Sequence, residues 1–396
     1  MKKNLLFVID SLDIAGAEKS LVTLLGLLDY NKFSVDLMLF AHGKKLEQHV
    51  PKEVTILDPL NYTTFSNLPL NTAVAEAIKK SEYSMLLSRF KYSSVLRVKK
   101  YDNKEKARLF WQSISKVIEA NPKKYDIAIS YAQGIPTFYV AGKVKAKQKY
   151  AWVNASYRLN EKEKQFQKYY YDQYDKVVAV SESAKEVFTE TFPEYEDKMT
   201  VVYDINNPHI ISKMAEIGIG YKDNFDGVRI LTVGRLNKQK GYDIALDACK
   251  KLKESGLHFR WYAMGKGPFQ QEVEQYIAEN DLQEHFILLG VETNPYPFVK
   301  NADIYVQPSR FEGFGLAIAE ARMLNVPVVT TRFDAVYNQM VDGKNGLVVD
   351  MNAAAVCDAV LKLISDKELR ERIVCYLENE KKGNVEEVEK FYQLIG

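Results

Sequence analysis

The stretch from Val306 to Thr331, VQPSRFEGFGLAIAEARMLNVPVVTT, constrains the fold of this chain more than any other. Ile304 to Gln307 leads into it as an apolar, strand-like run. A turn follows at Pro308-Ser309-Arg310-Phe311, with Gly313 and Gly315 beside Glu312. After Gly315 the spacing is helical, and Leu316, Ala319 and Glu320 share one side. Val326-Pro327-Val328-Val329 reads as the next buried strand. Strand, glycine-rich turn, helix and strand make a βαβ unit. Such a turn presents backbone N–H groups at a helix N-terminus, where the helix dipole also favours anions. Two carboxylates flank this feature, Glu312 before the helix and Glu320 inside it. The stretch therefore predicts a site for a phosphorylated ligand whose sugar hydroxyls are held by carboxylates.

A chain of 396 residues is long for one domain, and two are expected. Apolar residues at 46% can fill two cores, and a net charge of +2 gives no general case for nucleic acid as a partner. Cys249, Cys357 and Cys375 are far apart and lack metal-ligand spacing, which suggests a reducing compartment. The apolar run before Asp10 is too short for a signal-peptide core and reads as a first buried strand. No segment approaches the roughly 20 apolar residues that span a bilayer.

Taken in order, Leu5 to Ile9 is a strand, Ser11 to Glu18 a loop, and SLVTLLGLL after Lys19 a helix. Phe33 to Phe40 and Val54 to Leu57 are further strands, the opening of a doubly wound pattern. Gly16 sits where the first strand hands over to the first helix, so a ligand can approach the backbone there. Residues 60 to 124 predict two or three helices. Tyr125 to Tyr131, Lys149 to Val153, Lys176 to Val180 and Met199 to Tyr203 read as strands, with Ser181 as a helix cap. DINNPHI, from Asp204 to Ile210, reads as a linker turn. A second α/β series begins at Val228 with a strand ending in Gly234, then the basic loop Arg235 to Gly241. The helix YDIALDACKKLKE follows, then strands at Phe259 to Met264 and Phe286 to Leu289. From Ala353 onward the chain is helical, broken at Gly383-Asn384.

Several motifs together resemble the family 4 glycosyltransferases, retaining enzymes of the GT-B fold. They are AGAE (Ala15 to Glu18), AVSES (Ala179 to Ser183), VGRLNKQKG (Val233 to Gly241), MGKGP (Met264 to Pro268), PSRFEGFGLAIAE (Pro308 to Glu320) and DGKNGLVV (Asp342 to Val349). Their order and spacing carry the resemblance, strongly from residue 228 to 350 and loosely from 45 to 125. It implies an α/β architecture of two facing Rossmann-like domains with an interdomain cleft. The expected divisions are an acceptor-side domain at 1–204 and a nucleotide-sugar domain at 205–378. A terminal helix at 379–396 is expected to cross back to the first domain. The implied localisation is cytoplasmic, or peripheral on the inner face of the plasma membrane.

The resemblance also assigns roles. Arg235 and Lys240 match the family's diphosphate-binding cations; arginine grips phosphate in a fork and lysine acts as a point charge. Such enzymes stabilise the departing diphosphate with cations and helix N-termini, so no metal is expected. Backbone groups of Gly313, Phe314, Gly315 and Leu316 are expected at the distal phosphate or the sugar. Glu312 is expected at the transferred sugar's hydroxyls and Glu320 at the ribose. Gly234, Gly265, Leu289 and Gly290 are expected around the donor, and Gly16 at the diphosphate from the other domain. Asn154 stands where many relatives carry a histidine near the reaction centre, and Ser156 and Tyr157 follow it. Asparagine forms hydrogen bonds but exchanges no proton near neutral pH.

The donor is expected to be a UDP-sugar before a GDP-sugar, and the acceptor a glycan or a lipid-linked sugar. A nucleotide-sugar epimerase, a phosphorylase-type enzyme or a non-catalytic subunit on the same architecture stays open. The absence of a D-x-D motif speaks against a metal-dependent enzyme of the other common glycosyltransferase fold. Between residues 89 and 111, Arg89, Lys91, Arg97, Lys99, Lys100, Lys104, Lys106 and Arg108 are interleaved with Phe90, Tyr92, Leu96, Val98, Phe110 and Trp111. This is either a solvated helix face or a basic amphipathic surface for anionic lipid.

Overall fold

The computed structural model describes residues 2–13, 16–98, 101–154 and 159–396. The chain divides into two compact units, Met1–Tyr203 with Val388–Gly396, and Asp204–Glu387. Each is a parallel sheet covered by helices, so the expected α/β class with two Rossmann-like domains is what the structure shows.

In the first unit the strands are β1 (Lys3–Ser11), β2 (Phe33–Ala41), β3 (Val54–Ile56), β4 (Lys124–Ser130), β5 (Lys145–Val153), β6 (Lys176–Ala179) and β7 (Met199–Val201). Their order across the sheet is β3-β2-β1-β4-β5-β6-β7, all parallel, and it reverses between β1 and β4. Helices α1 (Gly16–Leu27), α2 (Asn61–Ser66), α3 (Leu70–Lys80), α4 (Tyr83–Leu96), α5 (Asn103–Ile114), α6 (Ile135–Lys143), α7 (Glu161–Tyr171) and α8 (Glu182–Thr191) lie between them. β1 is buried continuously from Leu5 to Ile9, because helices cover both faces of the sheet. The region 60 to 124 holds four helices where two or three were predicted. α2 is short, and only Ser81, with φ +58°, and Glu82 part α3 from α4, so the sequence pattern does not mark each helix off from the next.

In the second unit the elements are α9 (Pro208–Ala215), β8 (Val228–Val233), α10 (Tyr242–Glu254), β9 (Phe259–Met264), α11 (Gln270–Glu279), β10 (Phe286–Gly290), α12 (Tyr296–Lys300), β11 (Ile304–Gln307), α13 (Leu316–Met323), β12 (Val328–Thr331), β13 (Gly346–Val349), α14 (Ala353–Ser365) and α15 (Lys367–Asn379). The sheet order is β10-β9-β8-β11-β12-β13, again all parallel. The predicted linker turn at DINNPHI is instead the start of a helix. Asn207 caps α9, its side chain accepting from His209 N at 3.1 Å, and Pro208 takes the first helical position. Asn384 closes on the same segment, donating to Asp204 O at 2.9 Å and accepting from Asn206 N at 2.8 Å.

The last helix, α16 (Glu387–Ile395), packs within the first unit. Phe391 is fully buried with its ring 6.0 Å from those of Phe7 and Trp152. Tyr392 accepts from Asp29 N and donates to Leu27 O, both at 2.9 Å. In the second sheet the direction of winding switches between β8 and β11. The loops at the carboxyl ends of those two strands are therefore where an open α/β sheet offers a ligand crevice.

Candidate functional site

The loop after β8 folds tightly. Asn237 caps the short 3-10 turn Lys238–Lys240, accepting from Lys240 N at 3.0 Å. Gly241 then takes φ +69°, and a Cβ there would stand 1.7 Å from the Pro308 carbonyl oxygen. Only glycine permits this approach, which brings the loops after β8 and β11 together. Side chains lock the contact. Arg310 forks onto Asp243 at 2.8 and 2.7 Å and donates to Lys238 O at 2.7 Å, while its own N–H donates to Gln239 O at 2.7 Å.

The result is that Lys240 Nζ reaches both oxygens of Glu312 at 2.7 Å. The expected diphosphate cation and the expected sugar-binding carboxylate thus form an ion pair. Glu312 is only 8% exposed. Its Oε1 also accepts from Ser309 Oγ at 2.6 Å, and Ser309 Oγ accepts from Gln307 Nε2 at 2.8 Å. Gln307 Oε1 in turn accepts from the Tyr305 hydroxyl at 2.6 Å. Burial holds Tyr305 well above the usual phenol range, so it stays a donor. Arg235 is exposed and has no acidic partner among the described residues.

The glycine turn opens α13. Gly315 takes φ +84° as its cap residue and accepts from Ile318 N at 2.9 Å and Ala319 N at 3.2 Å, while the N–H groups of Leu316 and Ala317 stand ahead of the helix's own acceptors. Gln339 supports the turn from behind, donating to the Phe314 carbonyl and, at 3.0 Å, to the Gly315 carbonyl. Gln339 O accepts from Asn345 Nδ2 at 3.0 Å, and Arg322, which pairs with Glu380 at 2.7 Å, lies beside it. One turn into α13, Glu320 is buried and accepts from the Tyr296 hydroxyl at 3.0 Å. Burial, and then the Glu320 carboxylate, push the Tyr296 phenol well above its usual range.

Gly234, Gly265 and Gly290 stand at the ends of β8, β9 and β10. Gly234 N donates to Met264 O at 2.9 Å and Gly265 N to Gly290 O at 2.7 Å. A Cβ on Gly265 would lie 1.9 Å from Gly234 O, so these strand ends close on each other. Leu289 is partly buried against the core around Tyr262 and Met264. The second unit therefore carries Gly234, Arg235, Lys240, Glu312, Gly313, Phe314 and Gly315 on loops after the adjacent strands β8 and β11, with Leu316 and Glu320 on α13.

The remaining predicted residues belong to the first unit. Gly16 is the first residue of α1, and Ala15 lies outside the described residues. Asn154 directly follows β5 and donates to Tyr131 O at 2.6 Å. Its Oδ1 is buried and meets no donor among the described residues. Ser156 and Tyr157, named with it, lie outside the described residues. The basic stretch is not one surface. Arg108 is buried in an ion pair with Glu163 at 2.5 Å, and Trp111 is buried with its indole donating to Tyr170 at 2.8 Å. Lys99 and Lys100 lie outside the described residues. What α4 and its C-terminal end do expose is Leu87 (68%), Phe90 (44%) and Val98 (77%), with Lys91 and Arg97 beside them. Among the described residues no helix is long and apolar enough to cross a membrane, and no cluster of three or more His, Cys, Asp or Glu has metal-site geometry.

Residues 222–379 match the family of glycosyl transferases group 1. The matched stretch lies within the second unit and includes Lys240 and Glu312. Among curated proteins, an uncharacterized glycosyltransferase of Methanocaldococcus jannaschii, MJ1178, is 29% identical over 211 residues, 52% of this chain and 55% of that protein. The capsular polysaccharide biosynthesis glycosyltransferase CapM of Staphylococcus aureus is 28% identical over 215 residues, 50% of this chain and 54% of that protein. The matches thus span about half the length of these curated relatives. Over the whole chain, the structure of Anabaena Alr3699/HepE in complex with UDP and glucose superposes with a TM-score of 0.69 at 16% identity, covering 99% of this chain and 98% of that one. That likeness is one of fold: the structural neighbours are GT-B glycosyltransferases.

Sequence reasoning named Glu312, Glu320, Arg235 and Lys240 as candidates but did not name Tyr296, Tyr305, Gln307, Ser309 or Gln339, which contact the two carboxylates or the glycine turn. A signal existed for one of them. Gln307 is a polar residue ending the apolar strand IYVQ, and a buried strand carries such a residue only with partners.

Proposed function

We propose that this protein is a retaining glycosyltransferase. It moves a sugar from a nucleotide-diphosphate donor, a UDP-sugar before a GDP-sugar, to a glycan or lipid-linked acceptor in cell-surface polysaccharide synthesis. The observation that carries this reading is the Lys240–Glu312 pair, held at 2.7 Å between loops from the two strands flanking the switch point. A dianionic leaving group needs cations and oriented N–H groups where its charge develops. Arg235, Lys240 and the first turn of α13 supply them, without a metal. Glu312 takes the transferred sugar's hydroxyls and Glu320 the ribose. In a front-face retaining step the departing phosphate oxygen takes the acceptor's proton, so Asn154 needs no proton of its own and acts as a hydrogen-bonding group. The capsular polysaccharide relative supports the pathway class.

The test incubates purified protein with a panel of nucleotide sugars and with glycan and lipid-linked acceptors. Release of UDP, product anomeric configuration read by NMR, and activity kept in EDTA support the reading. Failure to bind or cleave any nucleotide sugar sinks it.

The acceptor side is proposed to work at the inner face of the plasma membrane. Its support is the exposed apolar residues Leu87, Phe90 and Val98 interleaved with Lys91 and Arg97, the pattern of a helix lying on anionic lipid. Co-sedimentation with phosphatidylglycerol vesicles should fall with rising salt. Absence of binding at every salt concentration would remove the membrane part alone.

A further inference from the structure

Glu312 is held by a directed line of hydrogen bonds with no role in the functional reading above. Tyr305 donates to Gln307 Oε1 at 2.6 Å, Gln307 Nε2 to Ser309 Oγ at 2.8 Å, and Ser309 Oγ to Glu312 Oε1 at 2.6 Å. Tyr305, Gln307 and Ser309 are each at most 1% exposed. The line starts at β8, where Val233 N–H reaches the Tyr305 hydroxyl at 3.3 Å, and ends at the carboxylate. Its polarity is fixed at both ends. Tyr305 is kept neutral by burial, and the single hydroxyl proton of Ser309 points at Glu312 Oε1, which must accept. The amide of Gln307 cannot be turned over without placing two acceptors, its own oxygen and Ser309 Oγ's lone pair, against each other.

We infer that Tyr305, Gln307 and Ser309 are positioning residues that fix the rotamer of Glu312 for the sugar of the donor. The relay holds Oε1 from the protein side, while Lys240 bridges Oε1 and Oε2 at 2.7 Å. It also ties the carboxylate to the strand end that carries Gly234 and Arg235, so the diphosphate grip and the sugar grip share one frame. A carboxylate wrongly placed by about 1 Å loses a large part of its effect on the reacting centre. This inference deepens the proposed function and rests on it.

The experiment uses Ser309→Ala, Gln307→Leu and the double variant of the full chain. UDP binding is measured by calorimetry and turnover with the UDP-sugar that the parent protein accepts. Glu312 bears on the diphosphate only through Lys240, so UDP affinity should not fall below that of the parent. The loss of a hydrogen bond to a charged group predicts a fall in kcat of about tenfold or more in Ser309→Ala. The donor KM should change much less. Gln307 backs Ser309 and also reaches Glu312 Oε1 directly at 3.4 Å, so Gln307→Leu should lower kcat too, and the double variant should lose less than the product of the two single losses. Additive losses would mean two separate packing effects and would overturn the relay. Unchanged kcat in Ser309→Ala with UDP bound normally would overturn it as well. A crystal structure of Ser309→Ala gives a readout independent of activity. The relay requires that Glu312 turns or loses its paired contact with Lys240, and an unmoved carboxylate refutes it. If the parent itself takes no nucleotide sugar, the functional reading fails, and the crystallographic arm still decides whether the relay positions Glu312.

Discussion

Replacing Glu312 by glutamine is expected to strengthen UDP binding while it abolishes or cripples sugar transfer. The Lys240 ammonium lies 2.7 Å from each oxygen of the Glu312 carboxylate. On the proposed reading a phosphate must share that ammonium. An anion seated on its far side would stand about 5 Å from the carboxylate. At an effective dielectric of about 20, two like charges at that separation repel by about 3 kcal/mol. Neutralising Glu312 removes this term, but it also removes the attraction that holds Lys240 in place, so the net gain is smaller. About 1–2 kcal/mol remains, which is roughly five- to thirty-fold in Kd.

Glutamine keeps the shape and can still accept from Ser309, so the fold of the loop should survive. Calorimetric titration of UDP into parent and Glu312→Gln measures the effect directly, and UDP release from the sugar donor measures turnover. Lys240→Ala serves as the opposite control and should weaken UDP. If Glu312→Gln binds UDP no better than the parent, Lys240 is not shared between carboxylate and diphosphate. The reasoning then fails, whatever happens to turnover.

Three further outcomes follow from the geometry. Gly241→Ala forces a Cβ to within 1.7 Å of Pro308 O at φ +69°; it should cost about 2 kcal/mol or more in denaturant unfolding and weaken UDP binding. Unaltered stability would show that the two loops are not in contact. Tyr296→Phe removes the hydroxyl 3.0 Å from Glu320, and the preference for UDP over 2′-deoxy-UDP should drop by about tenfold; an unchanged preference would remove Glu320 from the ribose. Cys375 is exposed whereas burial pushes the Cys249 thiol up to about 12, so a thiol reagent should modify Cys375 rapidly and Cys249 only after unfolding. Fast modification of Cys249 in the native protein would contradict its burial.

The strands were legible because a parallel sheet covered on both faces writes continuous apolar runs, as at Leu5 to Ile9 and Ile304 to Gln307. The glycine turn and its two carboxylates were legible because spacing within one βαβ unit is local. Helices α6 and α7 were not read at all, since their faces pack against a core assembled from distant strands. Arg108 was misread for a related reason. Its partner Glu163 is 55 residues away on another helix, and nothing near Arg108 in sequence distinguishes a buried cation from an exposed one. The relay behind Glu312 fell between these cases. Its members are close in sequence, but their alignment depends on β11 being buried beside β8, a tertiary fact.

The pairing of Lys240 with Glu312 also changes how the site should be thought of electrically. Read as a sequence, the loop after β8 is a standing positive patch. In the fold part of that charge is already answered. Lys240 is paired with Glu312, and Arg310 of the neighbouring loop with Asp243, while Arg235 and Lys238 are exposed and have no acidic partner among the described residues. The site thus presents two cations outright and holds a third against a carboxylate. It gains its full cationic character only when a ligand draws Lys240 away from the carboxylate. A ligand able to do that must offer phosphate to the lysine and, at the same place, hydroxyl groups for Glu312. A nucleotide sugar carries both, whereas free phosphate carries only the first. On the proposed function the ion pair selects for a ligand that offers both groups, and the bond from Ser309 to Glu312 Oε1 at 2.6 Å is what holds the carboxylate half in place.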